Sequence, residues 1–446
     1  MRTAEITHFM SVSSSPATPA APLATPLATT FTEFGLHETL LDGVRELGFE
    51  SPRPIQAATI PAGMLGRDVL GLAQTGTGKT AAFALPLLNQ IVYRPGKGPR
   101  ALILAPTREL ATQIAEEIRA LSKFTRVKVI TCYGGVSMRR QHNELRENPE
   151  IVVGCPGRVL DLLQQRVLRL NNVETLVLDE ADHMFDMGFL PTIRKILAGL
   201  PKQRQNLLFS ATMPREIRRL AEDLLTNPEV VELGDTAPAS TIDHALYLVQ
   251  EGRKRTLLEQ ILTSKACDTA IVFTRTKHRA RRLAEQLNNA GHNAIGLQGN
   301  MSQGQRDRAM EGFRSRRFNI LVATDIVARG IDVSDVSHVI NFDVPNTPEA
   351  YTHRIGRTGR SEQEGIAYTF VTDADRAWVR ATERKIGKPI PRLEATGLGP
   401  DIDEKLDRGG APRGNYRGQR PSGPAGQGRN TSRNTPRGGG QRRRAS

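Results

Sequence analysis

Short apolar runs alternate with longer amphipathic segments along most of the chain after Phe31. In residues 31–233, the runs suited to strands lie at Ala101 to Ala105, Ile151 to Val153, Leu176 to Leu178 and Leu207 to Phe209. These runs are apolar on both faces, as is typical of parallel strands covered by helices. Helical spacing between them, as in Glu109 to Leu121 and Ile193 to Leu200, predicts an α/β domain with a parallel sheet.

The same alternation resumes after residues 234–241, a small polar segment with proline that has the composition of a linker. Helical spacing recurs at Ala280 to Leu287 and Gln305 to Phe313. Strands are predicted at Ala270 to Phe273, Ala294 to Leu297, Ile320 to Ala323, Val339 to Phe342 and Ala367 to Val371. We therefore predict a second α/β lobe over residues 242–390, with a ligand cleft between the two lobes.

The two ends of the chain lack this pattern. Residues 1–30 are mostly Ala, Ser, Thr and Pro, and we predict that they are disordered, with Met10 as an alternative start to Met1. Residues 391–446 are also predicted to be a disordered tail. From Arg408 onward this tail holds ten arginines, one aromatic residue, Tyr416, and no acid.

The charge of the chain is concentrated in that tail. The net charge is +14, from 61 basic and 47 acidic residues, and the tail arginines account for most of the excess. Such a tail indicates a polyanionic partner. No apolar run reaches the length of about 18 residues that a membrane-spanning helix needs. The three cysteines have no metal or redox spacing and the chain lacks a secretory signal, so a cytoplasmic protein is expected.

A phosphate-binding loop follows the apolar run Val69 to Leu72 and precedes a helical segment, Ala81 to Leu88. Its glycines allow backbone N–H groups to surround phosphate oxygens, Lys79 adds a positive charge, and the Thr80 hydroxyl suits Mg²⁺. The loop consists of Ala73, Gln74, Thr75, Gly76, Thr77, Gly78, Lys79 and Thr80. We predict that it binds ATP.

An acidic segment, Asp179-Glu180-Ala181-Asp182, directly follows a predicted strand. The carboxyl end of a strand is where a parallel α/β sheet binds its ligands. Asp179 is expected to hold Mg²⁺ through water, and Glu180 to act as the general base for the attacking water. The sequence therefore predicts ATP hydrolysis.

Three arginines of the second lobe, within the segment from His353 to Arg360, are candidates to complete the predicted ATP site. Arg357 and Arg360 share one face at helical spacing and could reach the γ-phosphate as arginine fingers. An arginine cluster by itself is more often surface charge, so this interpretation depends on the two-lobe geometry.

Together these motifs resemble the DEAD-box ATP-dependent RNA helicases of superfamily 2, from about Phe31 to Ile386. The resemblance implies two RecA-like domains in tandem. It also implies that residues 31–59 form a Q motif, in which Phe31 stacks on adenine and Gln56 hydrogen-bonds its edge. Asp332 would contact the ATP ribose.

The resemblance further assigns RNA contacts and coupling residues. The RNA contacts are Thr107, Arg108, Gly135 and Arg158 in the first lobe and Arg275, Gly299 and Thr324 in the second. The residues that would couple hydrolysis to strand separation are Asp182, Ser210, Thr212 and His353.

The chain departs from the family pattern at two positions. Cys155 replaces the usual Thr before Pro156-Gly157-Arg158, which removes a hydroxyl available to RNA phosphate, and Asn300 replaces the usual Asp after Gly299. Together with the Arg-Gly tail, the sequence from Phe273 to His278 is similar to that of the bacterial RhlE-like group.

The expected function is hydrolysis of ATP upon RNA binding, with local unwinding of short duplexes or remodelling of RNA–protein complexes. Ribosome assembly and RNA turnover are the expected settings, and the basic tail is expected to tether RNA. Two alternatives remain open: a DNA-directed helicase of superfamily 2, and an RNA chaperone that acts through the tail and uses the lobes as a clamp.

Overall fold

The computed structural model describes residues 28–73, 76–233, 241–264, 266–325, 336–359 and 364–395. Most of the two predicted disordered ends, nearly all of the predicted linker, and the candidate site residues Gln74, Thr75, Asp332 and Arg360 lie outside these ranges.

The first lobe contains a seven-stranded sheet in the order β3-β4-β2-β5-β6-β1-β7, with every pairing parallel. Its strands are β1 Val69–Leu72, β2 Ala101–Leu104, β3 Val129–Cys132, β4 Ile151–Gly154, β5 Thr175–Leu178, β6 Gln205–Ser210 and β7 Glu229–Glu232. Its helices are α1 Glu38–Glu46, α2 Pro54–Met64, α3 Lys79–Tyr93, α4 Arg108–Leu121, α5 Met138–Arg146, α6 Pro156–Gln164, α7 Ala181–Asp186, α8 Leu190–Leu197 and α9 Arg215–Leu224.

The second lobe contains a second seven-stranded parallel sheet, in the order β10-β11-β9-β12-β13-β8-β14. Its strands are β8 Ile242–Leu248, β9 Ala270–Phe273, β10 Ala294–Leu297, β11 Ile320–Ala323, β12 His338–Asn341, β13 Gly365–Val371 and β14 Arg392–Glu394. Its helices within the described ranges are α10 Lys254–Thr263, α11 Lys277–Asn289, α12 Gln303–Arg314, α13 Pro348–Ile355 and α14 Arg376–Ile386.

The two sheets have the same strand order when each is numbered from its own first strand. This repetition confirms the prediction of two α/β lobes with parallel sheets. Among the described helices, none combines the length and the apolar composition that a bilayer crossing needs.

The strands that are apolar on both faces contribute to two large hydrophobic cores in each lobe, one on each side of the sheet. In β2, Ala101 and Ile103 pack into one core, while Leu102 and Leu104 pack into the other. Successive side chains of a strand point to opposite faces, so a continuous apolar run is required when both faces are covered.

The two predicted boundaries of the second lobe, at the tail and at the linker, differ from those in the structure. The predicted tail begins at residue 391, but β14 pairs with β8 beyond that point. All three β14 residues are exposed, so the strand carries no apolar pattern that would reveal it. At the predicted linker, the Thr241 hydroxyl donates to the Gly359 carbonyl over 2.6 Å, which attaches this residue to the second lobe.

A two-bond ion pair joins the start of β2 to the start of β5. Arg100 Nε and Nη2 donate to the two carboxylate oxygens of Glu174, each over 2.8 Å. Arg100 is buried and Glu174 is partly exposed. The hydrogen bonds from Arg100 hold the pKa of Glu174 below its usual value of 4.5.

Replacing Glu174 by Gln should lower the free energy of unfolding by about 1–2 kcal/mol at neutral pH, because the buried Arg100 would lose its carboxylate. The pKa of Glu174 is lower in the folded protein than its ordinary value of 4.5. The stability that the ion pair contributes is therefore complete above pH 4.5, and it is lost as the pH falls through the folded-state pKa. Urea unfolding of both proteins between pH 7 and pH 4 measures it. A difference that stays constant across this range would contradict the ion-pair account; Glu147→Gln, in an exposed pair, is the control.

Candidate active site

A cavity of about 500 Å³ opens in the first lobe near the carboxyl ends of β1 and β5. It is lined by the predicted phosphate loop, the predicted acidic segment, the predicted Q motif and one face of α4. The lining residues are Gly48, Phe49, Glu50, Ser51, Arg53, Gln56, Gly76, Gly78, Lys79, Thr80, Leu110, Gln113, Glu117, Asp179 and Glu180. Three motifs that are far apart in sequence therefore meet at one site.

The described part of the phosphate loop turns directly into the N-terminus of α3. Gly78, with φ of 93°, adopts the left-handed conformation that glycine favours. Lys79 is the first residue of α3, and its buried ammonium donates to the Ala73 carbonyl over 2.9 Å. Thr77 and Thr80 lie beside these residues in the same turn. A helix N-terminus with an adjacent lysine is suited to bind phosphate.

The Q motif touches this loop through two side chains. Arg53 Nη1 donates to the Gly76 carbonyl over 2.7 Å, and Gln56 Nε2 donates to the Gly78 carbonyl over 3.1 Å. A Cβ atom at Gly78 would lie 2.6 Å from Gln56 Nε2, so only glycine fits there. The predicted adenine-reading glutamine is thus in contact with the phosphate loop, and the contribution of Arg53 was not predicted from the sequence.

Phe31, the predicted stacking aromatic, does not line this cavity. Its side chain is 4% exposed and packs against Phe49 and Phe34, with ring centroids 6.2 and 6.0 Å away. Phe49 is the aromatic residue that lines the cavity. The stacking role predicted for Phe31 therefore has no direct geometric support in this structure, because its ring belongs to the hydrophobic core.

The acidic residues Asp179 and Glu180 are buried at the end of β5. Burial raises the pKa of Asp179 to about 6. Burial also disfavours ionised Glu180, but the hydrogen bond with His183 and the charges of His183, Lys79 and Arg357 outweigh it and lower the pKa of Glu180. Glu180 is therefore a carboxylate that can accept a proton.

Arg357 brings the second lobe into this site. Its guanidinium is buried, and its charge contributes to the lowered pKa of Glu180. His353 lies in the last turn of α13, two residues before the end of the helix. Of the two predicted arginine fingers, the structure thus brings Arg357 to the acidic segment, while Arg360 lies outside the described residues.

The predicted coupling residues Asp182, Ser210 and Thr212 form one hydrogen-bonded group. The backbone N–H and hydroxyl of Thr212 both donate to Asp182 Oδ2, over 2.9 and 2.8 Å. The backbone N–H of Asp182 donates to Ser210 Oγ over 3.2 Å, and Ser210 Oγ donates to the Thr212 carbonyl over 2.7 Å. The acidic segment is therefore connected directly to the end of β6.

A second cavity, of about 510 Å³, is lined by residues of both lobes. Four of the predicted RNA contacts lie in its wall: Thr107, Arg108, Arg158 and Gly299. Gly135 packs against Arg108, where a Cβ atom would come within 2.2 Å of the guanidinium.

Two contacts between the lobes border this cavity, and neither was predicted. Arg306 of α12 pairs with Glu109 of α4, with Nη2 and Oε1 2.7 Å apart. Gln303 accepts a hydrogen bond from Arg108 over 3.4 Å. The partners are almost 200 residues apart in sequence, a separation at which no local pattern indicates contact.

The remaining predicted RNA contacts, Arg275 and Thr324, do not line this second cavity. Arg275 is exposed, and its backbone N–H donates to Asp343 Oδ2 over 2.8 Å. Thr324 is buried directly after β11.

Sequence profiles of two protein families match the chain in tandem. The DEAD/DEAH box helicase profile matches residues 53–220, and the helicase conserved C-terminal domain profile matches residues 253–362. Curated relatives include the DEAD-box ATP-dependent RNA helicase CshA of Bacillus subtilis, 45% identical over 379 residues, which are 85% of this chain and 76% of that protein. The chain belongs to the DEAD-box family of ATP-dependent RNA helicases.

Further matches agree with this family. The ATP-dependent RNA helicase CshA of Listeria monocytogenes is 46% identical over 82% of this chain and 71% of its own length. A structure of S. cerevisiae Dbp5 bound to RNA and ADP BeF3 has a TM-score of 0.74 and 33% identity, over 82% of this chain and 96% of that one. Mss116p bound to ssRNA and AMP-PNP has a TM-score of 0.75 and 28% identity, over 83% and 80%.

Cys155 lies in the wall of the second cavity, at the position before the first turn of α6. Burial, with a smaller effect from the nearby charge of Glu109, raises the pKa of its thiol to about 12. Burial raises the pKa of Cys132, on the neighbouring strand β3, to about 12 as well.

Both thiols should therefore react slowly with iodoacetamide in the folded protein. At pH 8 their thiolate populations should be about a thousandfold below that of a cysteine with the ordinary pKa. Mass spectrometry of peptides alkylated before and after urea unfolding measures the ratio. Equal alkylation of Cys155 in the two states would contradict the burial of its sulfur.

Proposed function

We propose that the first-lobe cavity binds ATP and that the residues predicted from the sequence hydrolyse it there when RNA occupies the second cavity. The observation that supports this most directly is the meeting of the phosphate loop, Asp179, Glu180 and the charge of Arg357 at one place. ATP-dependent RNA helicase activity is the function of the family to which the chain belongs.

In this proposal, the phosphate loop surrounds the phosphates with backbone N–H groups and Lys79 neutralises their charge. Glu180 takes a proton from the attacking water while the water oxygen forms a bond to the γ-phosphorus. The bond between the γ-phosphorus and the ADP oxygen breaks. The lowered pKa of Glu180 keeps the carboxylate ionised at neutral pH, which a proton acceptor requires, although it also makes the carboxylate a weaker base.

Thr80 and Asp179 would hold Mg²⁺ together with the ATP phosphates. One hydroxyl and one carboxylate suit this ion, which usually keeps several waters and binds few protein groups. When bound, Mg²⁺ would neutralise the phosphate oxygens.

Arg357 and Arg360 would stabilise charge on the transferring phosphoryl group, and Asp332 would contact the ribose. Gln56 would read the adenine edge, which requires it to exchange its bond to Gly78 for one to the base. Phe31 would act on adenine only through Phe49, which it contacts.

RNA would pass through the second cavity, where Arg108 and Arg158 can bind backbone phosphates. Arg275, Gly299 and Thr324 would extend this path over the second lobe. Contacts to phosphates and 2′-hydroxyls select RNA over DNA without reading bases. Dbp5 and Mss116p are themselves described as bound to RNA and nucleotide.

The Asp182, Ser210 and Thr212 group would transmit hydrolysis to the RNA site, because it links the acidic segment to β6. His353 would join the second lobe to this group. Local unwinding of short duplexes then follows from closure of the lobes, and remodelling of RNA–protein complexes in ribosome assembly or RNA turnover remains the proposed setting.

Two finer proposals rest on the sequence alone: the basic tail would tether RNA, and the protein would work in the cytoplasm. The predicted RhlE-like subgroup is not supported, since the curated relatives described above are named CshA.

Structured RNA should raise the steady-state ATPase rate of the purified protein about tenfold or more, and matched DNA should not, because ATP and RNA favour the same closed arrangement. Glu180→Gln should reduce the stimulated rate about 10²- to 10⁴-fold by removing the general base. Phosphate release measured with each nucleic acid provides the rates.

Lys79→Ala serves as the blank, and Lys128→Ala, an exposed lysine of the same lobe, serves as the active control. Equal stimulation by DNA would favour the DNA-directed helicase. Strand separation at full rate by Glu180→Gln would favour a chaperone that acts through the tail.

Cys155→Thr should lower the RNA concentration that half-saturates the ATPase by about two- to tenfold, because a hydroxyl in the second cavity can donate to an RNA phosphate. Titration of RNA at saturating ATP measures the change. Cys267→Thr, which changes a cysteine packed on the core of the second lobe, should have no such effect. An unchanged or raised half-saturation for Cys155→Thr would count against RNA in this cavity.

A further inference from the structure

The matching strand orders allow positions in the two lobes to be paired. The backbone N–H of Asp179, after β5, donates to the carbonyl of Leu104, the last residue of β2, over 3.0 Å. The backbone N–H of Asp343, after β12, donates to the carbonyl of Phe273, the last residue of β9, over 3.2 Å. Asp343, two residues after β12, therefore makes in the second sheet the backbone hydrogen bond that Asp179, the residue after β5, makes in the first.

The phosphate-loop lysine has a counterpart as well. Lys79 is the first residue of the helix after β1, and Lys254 is the first residue of the helix after β8, the corresponding strand. Both side chains are buried, at 5% and 3% exposure. Each lobe thus has a buried lysine that follows its first strand and a buried aspartate that follows its fifth.

In the second lobe, these groups are paired with each other and with a further cation. Lys254 Nζ lies 3.8 Å from Asp343 Oδ1 and 3.0 Å from Glu251 Oε2. Arg279 Nη1 lies 2.8 Å from the same Asp343 oxygen, and its guanidinium lies over the Phe342 ring at 4.8 Å. We call Lys254, Arg279 and Asp343 the second-lobe ion cluster. Its built-in cations neutralise the carboxylate without a ligand.

The other oxygen of Asp343 is bound to the predicted RNA loop. Asp343 Oδ2 accepts the backbone N–H of Arg275 over 2.8 Å, while the Arg275 side chain is exposed. Thr276, the next residue, caps α11 by accepting from the backbone N–H of Arg279 over 3.2 Å. Arg275 and Thr276 are therefore each hydrogen-bonded to a residue of the ion cluster, Arg275 to Asp343 and Thr276 to Arg279.

We propose that Asp343, paired with Lys254 and Arg279, is a positioning residue that fixes the loop from which Arg275 binds an RNA phosphate. The inference rests on the proposed RNA role of Arg275. In this role the buried ion cluster supports the RNA-binding loop from within the second lobe.

A double-mutant cycle between Asp343 and Arg275 tests this role. Asp343→Asn removes the charge but keeps the shape, and should raise the half-saturating RNA concentration about tenfold. The same change in an Arg275→Ala background should have less than about a twofold effect, because the contact it positions is already gone. Measured at saturating RNA, the KM for ATP should stay within about twofold in every variant.

Each result decides the matter. Equal effects of Asp343→Asn in both backgrounds, or a parallel rise in the KM for ATP, would overturn the positioning role and leave the RNA role of Arg275 intact. No effect of Arg275→Ala by itself would overturn both. Asp268→Asn, in an exposed ion pair of the same lobe, is the matched control and should change neither value.

If Asp343→Asn does not fold, as thermal unfolding would reveal, Arg279→Gln replaces it in the cycle. The Arg279 side chain is 35% exposed, so its loss disturbs the fold less than loss of the buried carboxylate. It should raise the half-saturating RNA concentration about threefold, and only when Arg275 is present. An equal effect without Arg275 would overturn the proposal.

Discussion

Parallel strand pairing is the constraint on which both candidate sites depend. Because every paired strand of the first sheet runs in the same direction, the segments that follow β1, β2, β5 and β6 emerge at one edge. Those segments carry Lys79, Thr107, Asp179 and Thr212, which come from four distant parts of the chain. An antiparallel strand among them would send its functional residue to the opposite edge.

The second constraint is that, in the proposed mechanism, each site needs both lobes. The charge of Arg357 lowers the pKa of Glu180, and the Arg306–Glu109 pair joins the lobes beside the second cavity. A ligand that favours this arrangement at one site favours it at the other, and this linkage is reciprocal. The hydrogen bonds from Thr212 to Asp182 would contribute to the proposed coupling, because they connect the acidic segment to the end of β6.

Repetition of one fold with different polar groups explains how the lobes differ. All four side chains are buried, but Lys79 and Asp179 line an open cavity, whereas Lys254 and Asp343 belong to an ion cluster. Arg279 accounts for much of this difference, because its guanidinium lies against the carboxylate. A parallel sheet thus supports a ligand site in one copy and a rigid surface in the other.

The sequence by itself determined the two α/β lobes, most strand positions, the phosphate loop and the acidic segment. These features follow from local patterns, namely apolar runs, glycine spacing and residues that end strands. Only the tertiary structure decided that Phe31 is buried in the core, which no local pattern indicates, and that Gln56 contacts Gly78. It also decided that β14 extends the second sheet and that Arg306 pairs with Glu109. Such contacts depend on how distant segments pack, and a local pattern does not record its distant neighbour.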